Sequence, residues 1–220
     1  MKPIAAALLD LDCTLYPPDA GLVERIDCNL TAFIALRLGL PQAQADALRV
    51  RYWREYGATV RGLHLRHGIS YEDCYQQVCA FDFRDYVNPD ERVAQALRAI
   101  RCLRVLFSNA PRAYIDRMLA ALELEGLFPR LYSLEFCDYQ AKPDPAPYHR
   151  VLADLGLPAE QCLMVDDRAD NLVPAKALGM VTVLMGSQPA PAADHHLRHL
   201  AELPPLLEAC YQVIPAEDWA

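Results

Sequence analysis

Short apolar runs alternating with helix-length stretches constrain this chain more than any other feature. Ile4–Leu9, Leu103–Phe107, Leu131–Phe136, Cys162–Val165 and Val181–Met185 are predominantly apolar instead of alternating with polar residues. A strand with one wet face alternates, whereas a strand covered on both faces does not. Between the later runs lie helices. One opens at Asn88-Pro89-Asp90-Glu91, where Asn88 caps, Pro89 suits the first turn and Glu91 completes a box; it carries Val93, Leu97 and Ile100. Others are expected over Arg112–Leu122, over Pro145–Leu155 up to Gly156, and up to Leu178 before Gly179. Strands joined by crossover helices form a parallel sheet with helices on both faces, so the fold class is α/β.

The alternation is interrupted once, after Pro17 and Pro18. From about Gly21 to Phe83 the pattern is helical. Ile26, Leu30, Phe33, Ile34 and Leu38 share a face, Gly39 and Pro41 break the chain, and a second helix runs through Ala47 to Tyr56. Ser70-Tyr71-Glu72-Asp73 resembles a capping box that opens a helix through Val78. The expected organisation is a core of residues 1–16 and 86–220, with residues 17–85 as an inserted helical module. A peripheral helix is expected after Leu197.

Charge narrows the partners. Lys and Arg number 21 against 29 Asp and Glu, a net charge of −8, which argues against a nucleic-acid polymer or an anionic membrane surface. No apolar run approaches the ~20 residues of a spanning helix. The apolar start ends at Asp10 and Asp12 and does not read as an export signal. The eight cysteines show no CxxC pair or zinc spacing, so reduced thiols in a cytoplasmic protein are expected. A small anionic substrate needs a locally positive site.

In an open parallel sheet, ligands bind beyond the carboxyl ends of the strands. Asp10, Asp12 and Thr14 follow the first run, Ser108 and Asn109 the second, and Asp166 and Asp167 the fourth. Lys142 lies in a Lys-Pro-Asp-Pro turn between the third and fourth. Two unit charges ~4 Å apart repel by roughly 4 kcal/mol at an effective dielectric of 20. The four acids therefore need more than one lysine to balance them, and a Mg²⁺ ion suits carboxylate, carbonyl and water ligands. Such a site binds phosphate through the metal, Lys142, the Ser108 hydroxyl and backbone N–H groups. One of Asp10 and Asp12 can then attack phosphorus while the other moves the proton, which requires a raised pKa on the acid.

Four segments carry a resemblance. Asp10-Leu11-Asp12-Cys13-Thr14-Leu15-Tyr16, Leu106-Phe107-Ser108-Asn109, Lys142-Pro143-Asp144-Pro145 and Met164-Val165-Asp166-Asp167-Arg168-Ala169-Asp170-Asn171 resemble, in order, the four motifs of the haloacid dehalogenase superfamily in its phosphatase branch. The resemblance implies a Rossmann-like core with a small helical cap, and roles for the residues. Asp10 would be the nucleophile forming an aspartyl-phosphate. Asp12 would be the general acid/base, with its carbonyl on Mg²⁺. Ser108, Asn109 and Lys142 would hold the phosphate. Asp166 would ligate the metal together with Asp10, and Asp167 would position a metal-bound water or Lys142. The segment Arg51–Leu63 resembles the cap of pyrimidine 5′-nucleotidases, which implies Tyr52, Tyr56 and Arg61 as substrate contacts and a pyrimidine nucleoside 5′-monophosphate as substrate. Cys13 sits where the family often has Asn, and Ser108 where it often has Thr; a cysteine beside the nucleophile suggests sensitivity to oxidation.

Other readings compete. Ser108-Asn109 also suits a cap for the helix at Arg112. Tyr52, Trp53 and Tyr56 also suit the interior of the helical module, and the Arg51–His67 basic run suits a solvated face. Asp194-His195-His196 with His199 reads as loop and helix-start residues instead of a zinc site. Phosphatase or phosphomutase action on sugar phosphates or pyridoxal phosphate uses the same groups. Carbon–halogen cleavage needs neither Asp12 nor a metal. A signalling receiver would carry its acidic pair ahead of the phosphorylated Asp, and a silent binding protein would not need these groups.

Overall fold

A computed structural model of the chain describes residues 1–216. Six strands form one fully parallel sheet: β2 (Ala6–Leu9), β3 (Leu103–Phe107), β4 (Arg130–Tyr132), β5 (Cys162–Asp166), β6 (Val181–Met185) and β7 (His195–Leu197), in the order β4-β3-β2-β5-β6-β7. Side chains of β2 alternate between two cores: Ala7 and Leu9 join one, Ala6 and Leu8 the other. In β5, Leu163 and Val165 face the first, Cys162 and Met164 the second. Burial on both faces is the reason these segments read as continuous apolar runs.

The first run divides. Lys2–Ile4 form β1, which pairs in parallel with β8 (Tyr211–Val213) in a separate two-stranded sheet. At the division the Ala5 N–H donates to the Gln161 carbonyl at 2.8 Å. The third run is cut short after Tyr132, because Glu135 turns back and its carboxylate accepts the Arg112 N–H at 3.0 Å. That contact caps helix α6 (Arg112–Ala121), preceded by Pro111, so Ser108 and Asn109 do not cap it.

Helices α1 (Leu22–Leu38), α2 (Gln42–Tyr56), α3 (Thr59–His67) and α4 (Tyr71–Val78) lie between β2 and β3 in the chain. Ser70 caps α4 as expected, its hydroxyl accepting the Asp73 N–H at 3.3 Å. The α2–α3 break falls at Gly57, whose φ of 76 lies in the left-handed region. Helix α5 (Glu91–Ala99) starts two residues later than Asn88 would cap: Asp90 is the cap, accepting the Arg92 N–H at 2.9 Å, and His199 and Arg92 hold its carboxylate. Helices α7 (Pro145–Leu155) and α8 (Ala169–Ala177) cover the second core, and α9 (Leu203–Cys210) precedes β8. The chain after Leu197 is therefore a short helix between strands, not one peripheral helix. Asp194 accepts from Thr182 and Lys176, while His195, His196 and His199 contact Tyr211, Ala190 and Asp90 respectively, so these side chains serve separate local bonds. Among the described residues no helix is long and apolar enough to cross a membrane.

Tyr52 fixes how α2 meets α3. A Cβ on Gly62 would lie 2.5 Å from the Tyr52 ring, so only glycine permits this approach. Gly62→Ala is expected to cost about 1–3 kcal/mol of overpacking, read as a lower midpoint in denaturant titration; an unchanged midpoint would show that the helices part without penalty.

Candidate active site

The sheet register builds the site. Leu9 is level with Leu106 on one side and with Val165 on the other. Asp10 therefore leaves β2 between the ends of β3 and β5, beside Ser108 and Asp166. Lys142 comes from the loop before α7 and reaches the same point. Its Nζ is 2.8 Å from Asp10 Oδ1, 2.8 Å from Asp166 Oδ2 and 2.8 Å from the Phe107 carbonyl. With no solvent exposure, the ammonium has all three N–H donors satisfied. Burial works to lower its pKa, but Asp10 and Asp166 outweigh burial and the pKa is raised.

Asn109 does not reach toward a phosphate in this arrangement. Its side-chain amide clamps the Lys142 backbone, donating to the carbonyl at 2.9 Å and accepting the N–H at 2.8 Å. From the helical side, Gly57 approaches the same carbonyl so closely that a Cβ there would lie 2.6 Å from it. Ser108 is buried, and its hydroxyl accepts the Ala110 N–H at 3.1 Å.

Asp12 stands apart from the lysine cluster. Tyr16 and Tyr114 both donate to its Oδ1, each at 2.6 Å. Burial raises its pKa, opposed by the two tyrosine donors and by Lys142. A raised pKa is what a proton-donating carboxyl needs. Sequence reasoning missed both tyrosines as functional residues. Tyr16 lay within the first motif, four residues after Asp12, but nothing along the chain marks Tyr114, 102 residues away.

Oxygen ligands of Asp10, Asp166 and Asp167 all lie within 4.8 Å of one another. Asn171 donates to both Asp166 oxygens, at 2.9 and 3.1 Å, and its own Oδ1 is buried without a partner. Hard carboxylate oxygens beside an orphaned amide oxygen fit Mg²⁺. The side-chain set contains Asp167, which sequence reasoning gave a supporting role, while the Asp12 carboxylate is occupied by its tyrosines.

Cys13 adopts φ 57, in the left-handed region that Asn tolerates better than most residues. Burial, followed by Asp167, Asp12 and Asp10, pushes its thiol up to about 12. Burial of this kind disfavours the thiolate, the form that reacts with oxidants.

The three expected cap contacts lie elsewhere. Tyr52 is buried against Gly62 with its hydroxyl 2.8 Å from His67 Nε2. Tyr56 meets the Tyr52 ring edge-on, and Arg61 bonds the Tyr56 carbonyl at 3.4 Å. None of the three lines the cavity of about 700 Å³ that contains Asp10, Asp12, Ser108 and Asp167 in its walls. Trp53, the next residue along α2, does line it, with the Arg168 guanidinium 4.3 Å from the ring centre. Arg51, Arg54, Arg66 and His67 of the basic run are exposed, as a solvated face requires.

A family model of haloacid dehalogenase-like hydrolases matches residues 4–179, and the chain belongs to that family. It is 25% identical over 195 residues to phosphate metabolism protein 8 of Saccharomyces cerevisiae, covering 80% of this chain and 59% of the yeast protein. It is 26% identical to a phosphoglycolate phosphatase of Photorhabdus laumondii, covering 81% of this chain and 79% of that one. The chain thus spans under two thirds of the yeast relative's length. The L-2-haloacid dehalogenase of Xanthobacter autotrophicus superposes with a TM-score of 0.64 at 16% identity, over 94% of this chain and 99% of that one, a likeness of fold.

Burial first, and Asp166 second, raise the Asp167 carboxyl from 3.8 to about 7. The folded chain then holds a proton the unfolded chain releases, so without metal its stability falls as pH rises between those values. A divalent ion competes with that proton. Mg²⁺ is expected to raise Tm more near pH 8 than near pH 6, measured by thermal unfolding with and without chelator; equal increments would contradict the ligand set. Separately, Cys13→Asn is expected to raise stability by about 1 kcal/mol through relief at the left-handed position, seen as a Tm higher by roughly 2–4 °C; a lower Tm would count against it.

Proposed function

We propose that this chain is a Mg²⁺-dependent phosphomonoesterase that works through an aspartyl-phosphate on Asp10. The observation that carries the reading is the division of the carboxylates: Asp10 and Asp166 share the Lys142 ammonium, while Asp12 is held separately by two tyrosines with its pKa raised. Asp10 and Asp12 both line the cavity, as a nucleophile and a proton donor to one bond must. Asp10, Asp166 and Asp167 would hold Mg²⁺, which when bound neutralises phosphate charge and orients the phosphoryl group.

The steps follow from the chain's own residues. An Asp10 oxygen attacks phosphorus, the bond from phosphorus to the ester oxygen breaks, and Asp12 gives its proton to the departing alkoxide. Asp12, now ionised, takes a proton from water as that water attacks the phosphoaspartate, releasing inorganic phosphate and restoring both carboxyls. Tyr16 and Tyr114 keep Asp12 in place throughout. Ser108, in the cavity wall, holds a phosphoryl oxygen, and Lys142, its three donors already filled, keeps Asp10 and Asp166 in place.

Relatives named as phosphoglycolate phosphatases support a small phosphorylated substrate. Sugar-phosphate hydrolysis or phosphomutase action remains compatible with the same groups. The pyrimidine nucleotide reading loses its residue-level support, since Tyr52, Tyr56 and Arg61 stand outside the cavity walls. Carbon–halogen cleavage is the weaker reading, because it leaves Asp12 and the Asp166–Asp167 pair without work. Eight free cysteines, five of them buried, are in keeping with a reducing cytoplasm.

Asp10→Asn is expected to lower hydrolysis of a phosphate ester by about 10³-fold or more with an unchanged circular dichroism spectrum. Chelation of Mg²⁺ should stop the wild-type reaction and added Mg²⁺ restore it. Turnover by the variant near the wild-type rate would remove Asp10 from the nucleophile's role.

A further inference from the structure

The cavity is far larger than a two-carbon acid needs. Its volume of about 700 Å³ falls in the ~300–1,000 Å³ range of sites that enclose drug-sized ligands. Leu30, Val50, Val60 and Val78 line it together with the rings of Trp53 and Tyr75. Two cations also line it. Arg49 is 2.7 Å from Asp27 and 3.0 Å from Asp46, and Arg168 lies over Trp53. The Thr59 hydroxyl donates to the Arg49 carbonyl, and the Asn109 amide is spent on Lys142. Against Leu30, Val50, Val60 and Val78, a carboxylate or a hydrogen-bonding base carried by the leaving group would lose water without a replacement partner. Tyr75 Oη is buried with no hydrogen-bond partner, a polar point beside these apolar side chains.

We propose that the substrate is the phosphate ester of a bulky, largely apolar alcohol, aromatic or alicyclic, with room for one oxygen near Tyr75. This rests on the phosphomonoesterase reading above and adds the identity of the leaving group. Apolar contact area then supplies the discrimination, at roughly 25 cal/mol for each Å² removed from water.

The test compares esters whose alcohols differ in bulk and polarity and not in activation. The full chain with Mg²⁺ is assayed on ethyl phosphate, 2-(1-naphthyl)ethyl phosphate, phosphoglycolate and UMP. The expected result is a kcat/KM for the naphthylethyl ester at least about a hundredfold above ethyl phosphate, mostly through KM, and above the other two. Val60→Trp, which fills the cavity, should lower the naphthylethyl-to-ethyl ratio about tenfold or more; Val50→Phe serves the same purpose if that variant does not fold. A preference for phosphoglycolate or UMP, or equal rates on all four, would overturn the leaving-group assignment while leaving the phosphatase chemistry standing. Failure to hydrolyse any of the four would overturn both.

Discussion

Lys142 carries its ammonium into the interior with no solvent contact and divides its three N–H donors among Asp10, Asp166 and the Phe107 carbonyl. Each partner ends a different strand, and the three strands are neighbours in the sheet. Without that charge, two buried carboxylates would face each other in a region too dry to screen them. The lysine sits in a loop, so its own position needs support. Asn109 supplies it through two hydrogen bonds to the Lys142 backbone, and Gly57 closes on the same carbonyl from the helical side. The charge that organises the sheet's carboxyl ends is thus held by contacts from both the sheet and the helices.

The strands that alternate least were the most legible. Val181–Met185 and Leu103–Phe107 form strands with the expected bounds, and Pro145–Leu155 forms a helix between its own proline and Gly156, because local propensity and burial agree there. Ile4–Leu9 reads as one run, since Ile4 at the end of β1 is as apolar as β2; only pairing with β8 and with β3 separates them. Leu131–Phe136 overran because Glu135 is drawn to the start of α6, a contact 23 residues apart that no local pattern records.

For the site, Asp10, Asp12, Lys142 and Asp166 follow from one topological rule applied to strand ends, and they converge as that rule requires. The helical module resisted the same treatment. Tyr52 and Trp53 are adjacent, and one residue turns a helical side chain by about 100°. One faces Gly62 in the interior and the other faces the cavity, and which is which depends on where α3 packs. Tyr114 belongs to α6, whose apolar spacing marks it as core; that it also reaches Asp12 is set by the placement of that helix beside the first motif.

The central place of β2 has a consequence at the ribosome. The strand that delivers Asp10 is among the earliest made, yet its two sheet neighbours are residues 103–107 and 162–166. The four helices between residues 22 and 78 pack on one another in the stretch of chain between β2 and β3. The acidic cluster cannot exist until Asp166 has left the exit tunnel. Competence for chemistry therefore arrives late in synthesis.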